Sequence, residues 1–246
     1  TFAEAAQGAD YLPVALVVRN EGTVDEERVD PQLSRVKFLS FEEVVSAQPA
    51  VCRAADTHRD DIAIWLFTSG STGQPKGAVH LQHDLPHNTE VYAKGTLGVN
   101  ESDLTISVPK LFFGYATGTN LLFPFAVGGA TALFSERATP EKMFEVIGRY
   151  RPTVLTTVPT MINSMLNAAG AATHDLSSLR FCYSAGEALP AELYDRWKRT
   201  FGIEIYDGIG SAEMFHIYIS NRPGDVKPGS LGRIVKGYEA KIIDAA

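Results

Sequence analysis

Ten consecutive residues, Thr68-Ser69-Gly70-Ser71-Thr72-Gly73-Gln74-Pro75-Lys76-Gly77, bring together three glycines, four hydroxyls and one ammonium. Glycine lets the backbone take positive φ and approach a ligand closely. Successive N–H groups in such a turn make a concavity that suits an anion. The hydroxyl donors and the compact charge of Lys76 complete a cradle for a polyphosphate. Gly, Ser and Thr also fill ordinary surface loops, but here Pro75-Lys76-Gly77 follows immediately on the Ser/Thr/Gly run. The spacing G-x-x-x-x-G-K-[ST] is absent, because Gly77 follows Lys76, and so is G-x-G-x-x-G.

Three further stretches carry candidate chemistry. Asp207-Gly208-Ile209-Gly210-Ser211-Ala212-Glu213 is a small-residue turn ending in an acid. Its Glu213 either reaches a magnesium ion on a nucleotide, which takes one or two carboxylates beside phosphate and water, or caps a neighbouring helix. Ser184-Ala185-Gly186-Glu187-Ala188-Leu189-Pro190 reads as a plain strand-to-helix turn. Phe112-Phe113-Gly114-Tyr115 suits either core or a flat apolar pocket for an aromatic ring. His216 alone reads as a satisfied structural histidine. His83 and His87 stand four apart with His80 upstream, a spacing that could hold zinc. Pro86 lies between them and no Glu takes the H-E-x-x-H place, which favours solvated helix-start histidines. No Ser/His/Asp or Cys/His arrangement for nucleophilic catalysis is evident.

The elements that must position these residues follow from the apolar pattern. Val14–Val18, Ile62–Phe67, Leu104–Ser107, Ala130–Phe134, Thr153–Thr157, Leu179–Tyr183, Ile203–Tyr206 and Glu239–Ile243 read as strands. Ser40-Phe41-Glu42-Glu43 is a capping box opening a short helix. Helices are expected over residues 82–96, 119–127, 140–150, 160–169 and 190–200. Thr139-Pro140-Glu141 marks one start and Gly202 one end. Residues 23–35 and 221–229 read as loop. The recurring strand-helix-strand order predicts an α/β fold with parallel strands and helices packed on the sheet. Ligands then sit beyond the strands' carboxyl ends. If the strands before Thr68, Ser184 and Asp207 are parallel neighbours, their loops line one crevice.

The ten-residue loop resembles the phosphate-loop signature of the adenylate-forming superfamily, which includes acyl- and aryl-CoA ligases, luciferases and peptide-synthetase adenylation domains. Gly208 to Glu213 is similar to the family's second core motif, except that Ala212 stands where the family has Thr. The resemblance is greatest to the benzoate-CoA ligase branch. It implies two parallel-rich αβ subdomains (1–107 and 108–224) and the start of a β-barrel subdomain (225–246), with the small C-terminal lid domain beyond the chain. It also implies a fragment that is inactive alone, in keeping with a start at Thr1 and an end that reads as the opening of a strand.

The resemblance further implies the reaction: an aromatic carboxylate attacks ATP, and the acyl-adenylate passes to coenzyme A. Thr68, Ser69, Gly70, Ser71, Thr72, Gly73, Lys76 and Gly77 would hold phosphates, and Glu213 would hold Mg2+. Gly186, Glu187, Asp207, Gly208, Ile209 and Gly210 would border the adenine. Gly114, Tyr115, Ser184, Ala185, His216 and Ile217 would line the acyl pocket. A hydroxy- or aminobenzoate ligase, a carrier-loading adenylation domain and a nucleotide-binding pseudo-enzyme are the rival readings. Ala212 motivates the last, because a methyl donates no hydrogen bond to the α-phosphate.

Composition bounds the rest. The 246 residues are 45% hydrophobic, enough for one large or two modest domains. A net charge of −7 with no polybasic run excludes a nucleic-acid binder. The two cysteines make no disulfide framework, which points to the cytoplasm. The longest apolar stretch, Leu121 to Phe134, is interrupted by Pro124 and Gly128-Gly129 and is too short to span a membrane.

Overall fold

The computed structural model of the chain describes residues 14–17, 37–68 and 75–243. The chain divides into two compact units, residues 1–56 and 57–246. In the first, β1 (Val14–Val17) pairs in parallel with β2 (Lys37–Ser40), Val14 opposite Lys37. Helix α1 (Phe41–Ser46) follows at once. The Ser40 hydroxyl accepts from the Glu43 N–H, as the capping box requires. The loop expected over residues 23–35 lies outside the described residues.

The second unit opens with a hairpin. β3 (Ile62–Thr68) runs antiparallel to β4 (Lys76–Leu81), with Thr68 opposite Lys76. This corrects the expectation of a parallel neighbour before the Thr68 loop: β3 lies in its own two-stranded sheet.

A seven-stranded sheet carries the rest, in the order β11-β10-β9-β8-β7-β5-β6. Its members are β5 (Leu104–Ser107), β6 (Ala130–Thr131), β7 (Val154–Thr157), β8 (Phe181–Ser184), β9 (Glu204–Gly210), β10 (Ile217–Ser220) and β11 (Arg233–Ile234). β5 to β9 are mutually parallel, and β10 and β11 extend the edge antiparallel. The fold is therefore α/β and parallel-rich. No closed barrel forms among the described residues. The strand expected at 239–243 is not there; the chain instead adds β11 to β10 at the sheet edge.

Both faces of the central strands are covered, so β7 and β8 are buried at every position and β5 at three of four, hydroxyl-bearing residues included. Ile106, Leu155, Cys182 and Ile205 face one core, shared with Met143, Ile147, Ile162, Met165 and Trp197. Those partners come from α5 (Pro140–Tyr150), α6 (Pro159–Asn167) and α7 (Ala191–Phe201). On the other face Val154, Phe181, Tyr183 and Tyr206 pack with Tyr92, Leu97 and Phe123. Tyr92 lies on a π-helical segment (Thr89–Lys94) that continues α2 (Asp84–Asn88), as the Gly95 N–H reaching back to the Glu90 carbonyl shows.

The helix expected from residue 119 starts earlier. Phe113 is extended, and α3 (Gly114–Thr117) passes through a π-helical turn (Gly118–Leu122) into α4 (Phe123–Ala126). Gly114 and Gly118 argue against helix by propensity, but burial of Ala116, Thr119 and Phe123 overrides them. Among the described residues no helix is long and apolar enough to cross a membrane.

The start of α5 follows the sequence rules: the Thr139 hydroxyl accepts from the Lys142 N–H at 3.3 Å, and Pro140 occupies the first turn. Thr139→Ala should lower the stability of the second unit by about 1 kcal/mol. Urea unfolding at neutral pH would measure it, and an unchanged midpoint would remove the cap's assigned role.

Candidate active site

The site forms where β8 and β9 end. β8 stops at Ser184, the chain turns through Ala185 and Gly186, and α7 begins at Ala191 behind Pro190. Gly186 has φ +87°, a conformation that favours glycine. β9 runs on through Asp207, Gly208 and Ile209 to Gly210, so these are strand residues and not the loop the sequence suggested. A Cβ on Gly210 would meet the His216 carbonyl oxygen at 2.5 Å. Only glycine lets β9 and β10 close that tightly.

Between these strands lies a compact turn. Ala212–Met214 is one 3-10 turn, and the His216 N–H then donates to the Met214 carbonyl at 2.8 Å. Phe215, at the centre of that three-residue turn, has φ +67° and ψ −49°. A non-glycine residue held there costs on the order of 1–3 kcal/mol. Glu213 is exposed on this turn.

Two clefts meet here. The first, about 450 Å³, is walled by Trp65, Leu66 and Phe67 of β3, by Phe112 to Tyr115, by Ala185 and Gly186, and by Gly210 to Ala212 with Phe215 to Ile217. The second, about 560 Å³, is walled by Gly186 to Leu189, Asp207 to Gly210 and Gly229 to Leu231. Gly186 and Gly210 belong to both, so the clefts share a wall without side chains.

The first cleft is apolar and uncharged at its floor. His216 is 3% exposed, and burial pushes its pKa down to about 4, the Tyr115 carbonyl offsetting this only in part. The ring is therefore neutral at pH 7. Its Nε2 lies 3.0 Å from that carbonyl and so carries the proton, leaving Nδ1 buried without a partner. Tyr92, Tyr115 and Phe123 surround the ring at centroid distances of 4.9 to 5.6 Å. Burial also drives the Tyr115 hydroxyl far above its ordinary pKa.

In the second cleft Asp207 is buried, and burial pushes its carboxyl up to about 6. Ser184 and the Leu189 and Gly208 N–H groups ease this from nearby. None reaches hydrogen-bond geometry with Asp207 Oδ1, and both that atom and the Ser184 hydroxyl stay unpartnered.

The structure brings together most of the residues singled out from sequence. Thr68 and Lys76 face each other at the end of the hairpin where residues 69–75 connect the two strands, with Gly77 next in β4. Ser69, Gly70, Ser71, Thr72 and Gly73 lie outside the described residues. A Cβ on Gly114 would touch Leu66 at 3.1 Å, which brings the Tyr115 segment against β3. Glu187 turns its carboxylate to the start of α6, accepting from the Thr160 N–H at 3.1 Å and its hydroxyl at 2.6 Å. Among the described residues no group of three or more His, Cys, Asp or Glu is placed to hold a metal. His83 pairs with Asp60 and Asp84, and His87 meets Tyr238 edge to face.

Sequence reasoning missed Trp65, Leu66 and Phe67 as cleft walls. The signal was present: a strand apolar on both faces, as Ile62–Phe67 is, must lay one of them against something. It also missed His80, which enters the Glu213 turn from β4.

Comparison with known proteins places this geometry. The family described as AMP-binding enzyme matches residues 5–246. The chain is similar to the benzoate–CoA ligase of Thauera aromatica, 48% identical over 191 residues, covering 78% of this chain and 36% of that protein. Among solved structures it superposes on the anthranilate CoA ligase AuaEII in complex with anthranoyl-AMP, with a TM-score of 0.89 and 40% identity over 98% of this chain and 45% of that one. It also superposes on a benzoate CoA ligase from Burkholderia xenovorans LB400, with a TM-score of 0.82 and 36% identity over 97% of this chain and 48% of that one. The chain thus spans between about a third and a half of the length of these relatives.

Proposed function

The chain belongs to the AMP-binding enzyme family, and from that premise we propose that it carries the substrate-activating part of an ATP-dependent ligase joining an aromatic carboxylic acid to coenzyme A. The observation that carries this reading is the pair of clefts sharing Gly186 and Gly210. An apolar cleft walled by aromatics takes the aryl ring. The neighbouring cleft takes the nucleotide, with Asp207 offering an acceptor to the base. The shared glycine wall is where the carboxylate oxygen meets the α-phosphorus. The names of the similar proteins, benzoate and anthranilate ligases, support an aryl acid as the substrate class.

No protein nucleophile is required. The carboxylate oxygen forms a bond to the α-phosphorus, and the bond to pyrophosphate breaks, leaving an acyl-adenylate; the thiol of coenzyme A, losing its proton, then attacks the acyl carbon, and the bond to AMP breaks. The chain's task is positioning and charge neutralisation. Lys76 and the main-chain N–H groups of the loop that leads to it would meet the phosphates that leave. Glu213 fits a magnesium site: a lone exposed carboxylate beside phosphate oxygens and water is what this ion accepts, and a many-ligand cage is not. When bound, Mg2+ would neutralise charge on the leaving pyrophosphate. The neutral His216 keeps charge away from the ring.

The test is exchange of labelled pyrophosphate into ATP by the complete gene product, run with benzoate, hydroxybenzoates and aminobenzoates, and then with coenzyme A against a carrier protein. Exchange that depends on an aryl acid, with product on coenzyme A, is expected. Exchange driven only by aliphatic or amino acids, or none with any acid, would end the proposal.

A further inference from the structure

His80 is a histidine of β4 with 4% of its surface exposed, remote in sequence from the Glu213 turn yet bound to it. Its Nε2 lies 2.6 Å from the Ala212 carbonyl oxygen, and its Nδ1 lies 3.1 Å from Asp84 Oδ2. Its ring meets Phe215 edge-on, with centroids 5.5 Å apart. The imidazole therefore touches the residue before Glu213 and also the strained residue two after it. Asp84 is itself fixed, since its Oδ2 accepts from the Leu81 N–H at 3.0 Å. Burial raises its pKa, but Leu81, His80 and His83 outweigh that and hold the carboxyl below its ordinary value, so it is an anion at neutral pH. Both ring nitrogens lie within hydrogen-bond distance of acceptor oxygens, one on the turn and one on Asp84.

We propose that His80, oriented by Asp84, is a positioning residue that holds the Ala212–Phe215 turn so that Glu213 meets the metal ion on the nucleotide. The inference rests on the proposed role of Glu213. Three features make the pair more than packing. The turn holds a non-glycine residue at positive φ, a geometry that lasts only where the surroundings dictate it. The hydrogen bond lands on the peptide just before Glu213, so losing it frees the carboxylate to swing. And His80 lies four residues beyond Lys76 on the same strand, so one hairpin ties the phosphate-facing lysine to the metal-facing turn.

The test uses the complete gene product in the pyrophosphate exchange assay with Mg2+ titrated, and in a calorimetric titration of ATP at varied Mg2+ without the acid, which reads binding with no turnover and in which the variants should shift the Mg2+ dependence in the same order. His80→Ala should raise the Mg2+ concentration for half-maximal exchange about tenfold and lower kcat about tenfold or more, since a misplaced group costs up to about 100-fold. KM for the aryl acid should barely move. His80→Asn, which keeps a donor for the Ala212 carbonyl, should recover part of the loss. Asp84→Asn should act in the same direction, more weakly. If the alanine variant fails to fold, the asparagine variants carry the test. Combined with Glu213→Gln, His80→Ala should add no further Mg2+ effect, because both act through one carboxylate.

A Glu213→Gln effect on Mg2+ dependence with no effect from any His80 or Asp84 variant overturns this inference alone. Additive effects in the double variant overturn it too. A Glu213→Gln protein with unchanged Mg2+ dependence overturns the metal role and this inference with it.

Discussion

Arg180→Ala should destabilise the second unit by about 3 kcal/mol at pH 7, the low end of what breaking a buried ion pair costs. The carboxylate of Asp103 is fully buried, just before β5, while Arg180 stands half-exposed just before β8. The guanidinium forks onto it, Nε to Oδ1 at 2.9 Å and Nη2 to Oδ2 at 2.6 Å. The Thr153 hydroxyl, before β7, donates to Oδ1 at 2.7 Å, and the Asn100 N–H to Oδ2 at 3.0 Å. One carboxylate thus gathers the amino ends of three adjacent parallel strands, at the pole opposite the clefts. Without Arg180 it would remain buried with neutral donors only. Water reaching the half-exposed arginine position softens the loss, which is why the upper end of the range is not expected.

The pH dependence has a definite sign. Burial raises the Asp103 pKa most, but Arg180, Thr153 and Asn100 together bring it below its ordinary value. A carboxylate with a depressed folded pKa contributes stability that is present above the unfolded pKa of about 3.9 and lost as pH falls through the folded one. The gap between wild type and Arg180→Ala should therefore be widest at neutral pH and narrow below about pH 4. Arg180→Lys should recover only part, since an ammonium cannot make the fork. Denaturant unfolding at pH 7 and at about pH 3 decides it. A gap under about 0.5 kcal/mol at pH 7, or one that widens in acid, would refute the staple.

Much of this fold was legible because helix starts and buried parallel strands obey local rules. Thr139-Pro140-Glu141 announces α5, Gly202 closes α7, and the β-branched and aromatic runs Val154–Thr157 and Phe181–Ser184 are buried at every position because both faces are covered. The hairpin was not legible: Ile62–Phe67 reads as a buried strand, and no two-residue turn announces that β4 folds back on it. β10 escaped for a different reason. Ile217–Ser220 follows Phe215, whose positive φ no sequence pattern signals, so the reversal from β9 was invisible. At the site, Gly186 and Gly210 stood out as glycines, but that both clefts share them is a fact of tertiary packing. The burial that shifts Asp207 and His216 is likewise absent from the residues around them in sequence.

The second large effect concerns charge where pyrophosphate would leave. Glu213→Gln in the complete gene product should cut aryl-acid-dependent pyrophosphate exchange by about 100-fold, and Lys76→Ala by a similar factor, the scale of removing one electrostatic stabiliser from a transition state. Glutamine keeps the shape of the side chain and loses its charge. Glu213 is exposed, on a turn held by backbone bonds and not by its own carboxylate. The substitution should therefore leave stability within about 0.5 kcal/mol, as for other surface changes.

Lys76 is also exposed, at the first position of β4 opposite Thr68, so its removal should likewise spare the fold. The two variants should differ in kind. Glu213→Gln should raise the Mg2+ requirement, because a carboxylate ligand is gone. Lys76→Ala should leave that requirement nearly unchanged and weaken ATP itself, because an ammonium contacts phosphate directly. Kinetics across Mg2+ and ATP concentrations separates the two. If both variants keep exchange within about twofold of wild type, the Lys76 and Glu213 charges do not act on the leaving phosphates, and the shared glycine wall would have to position the reactants unaided.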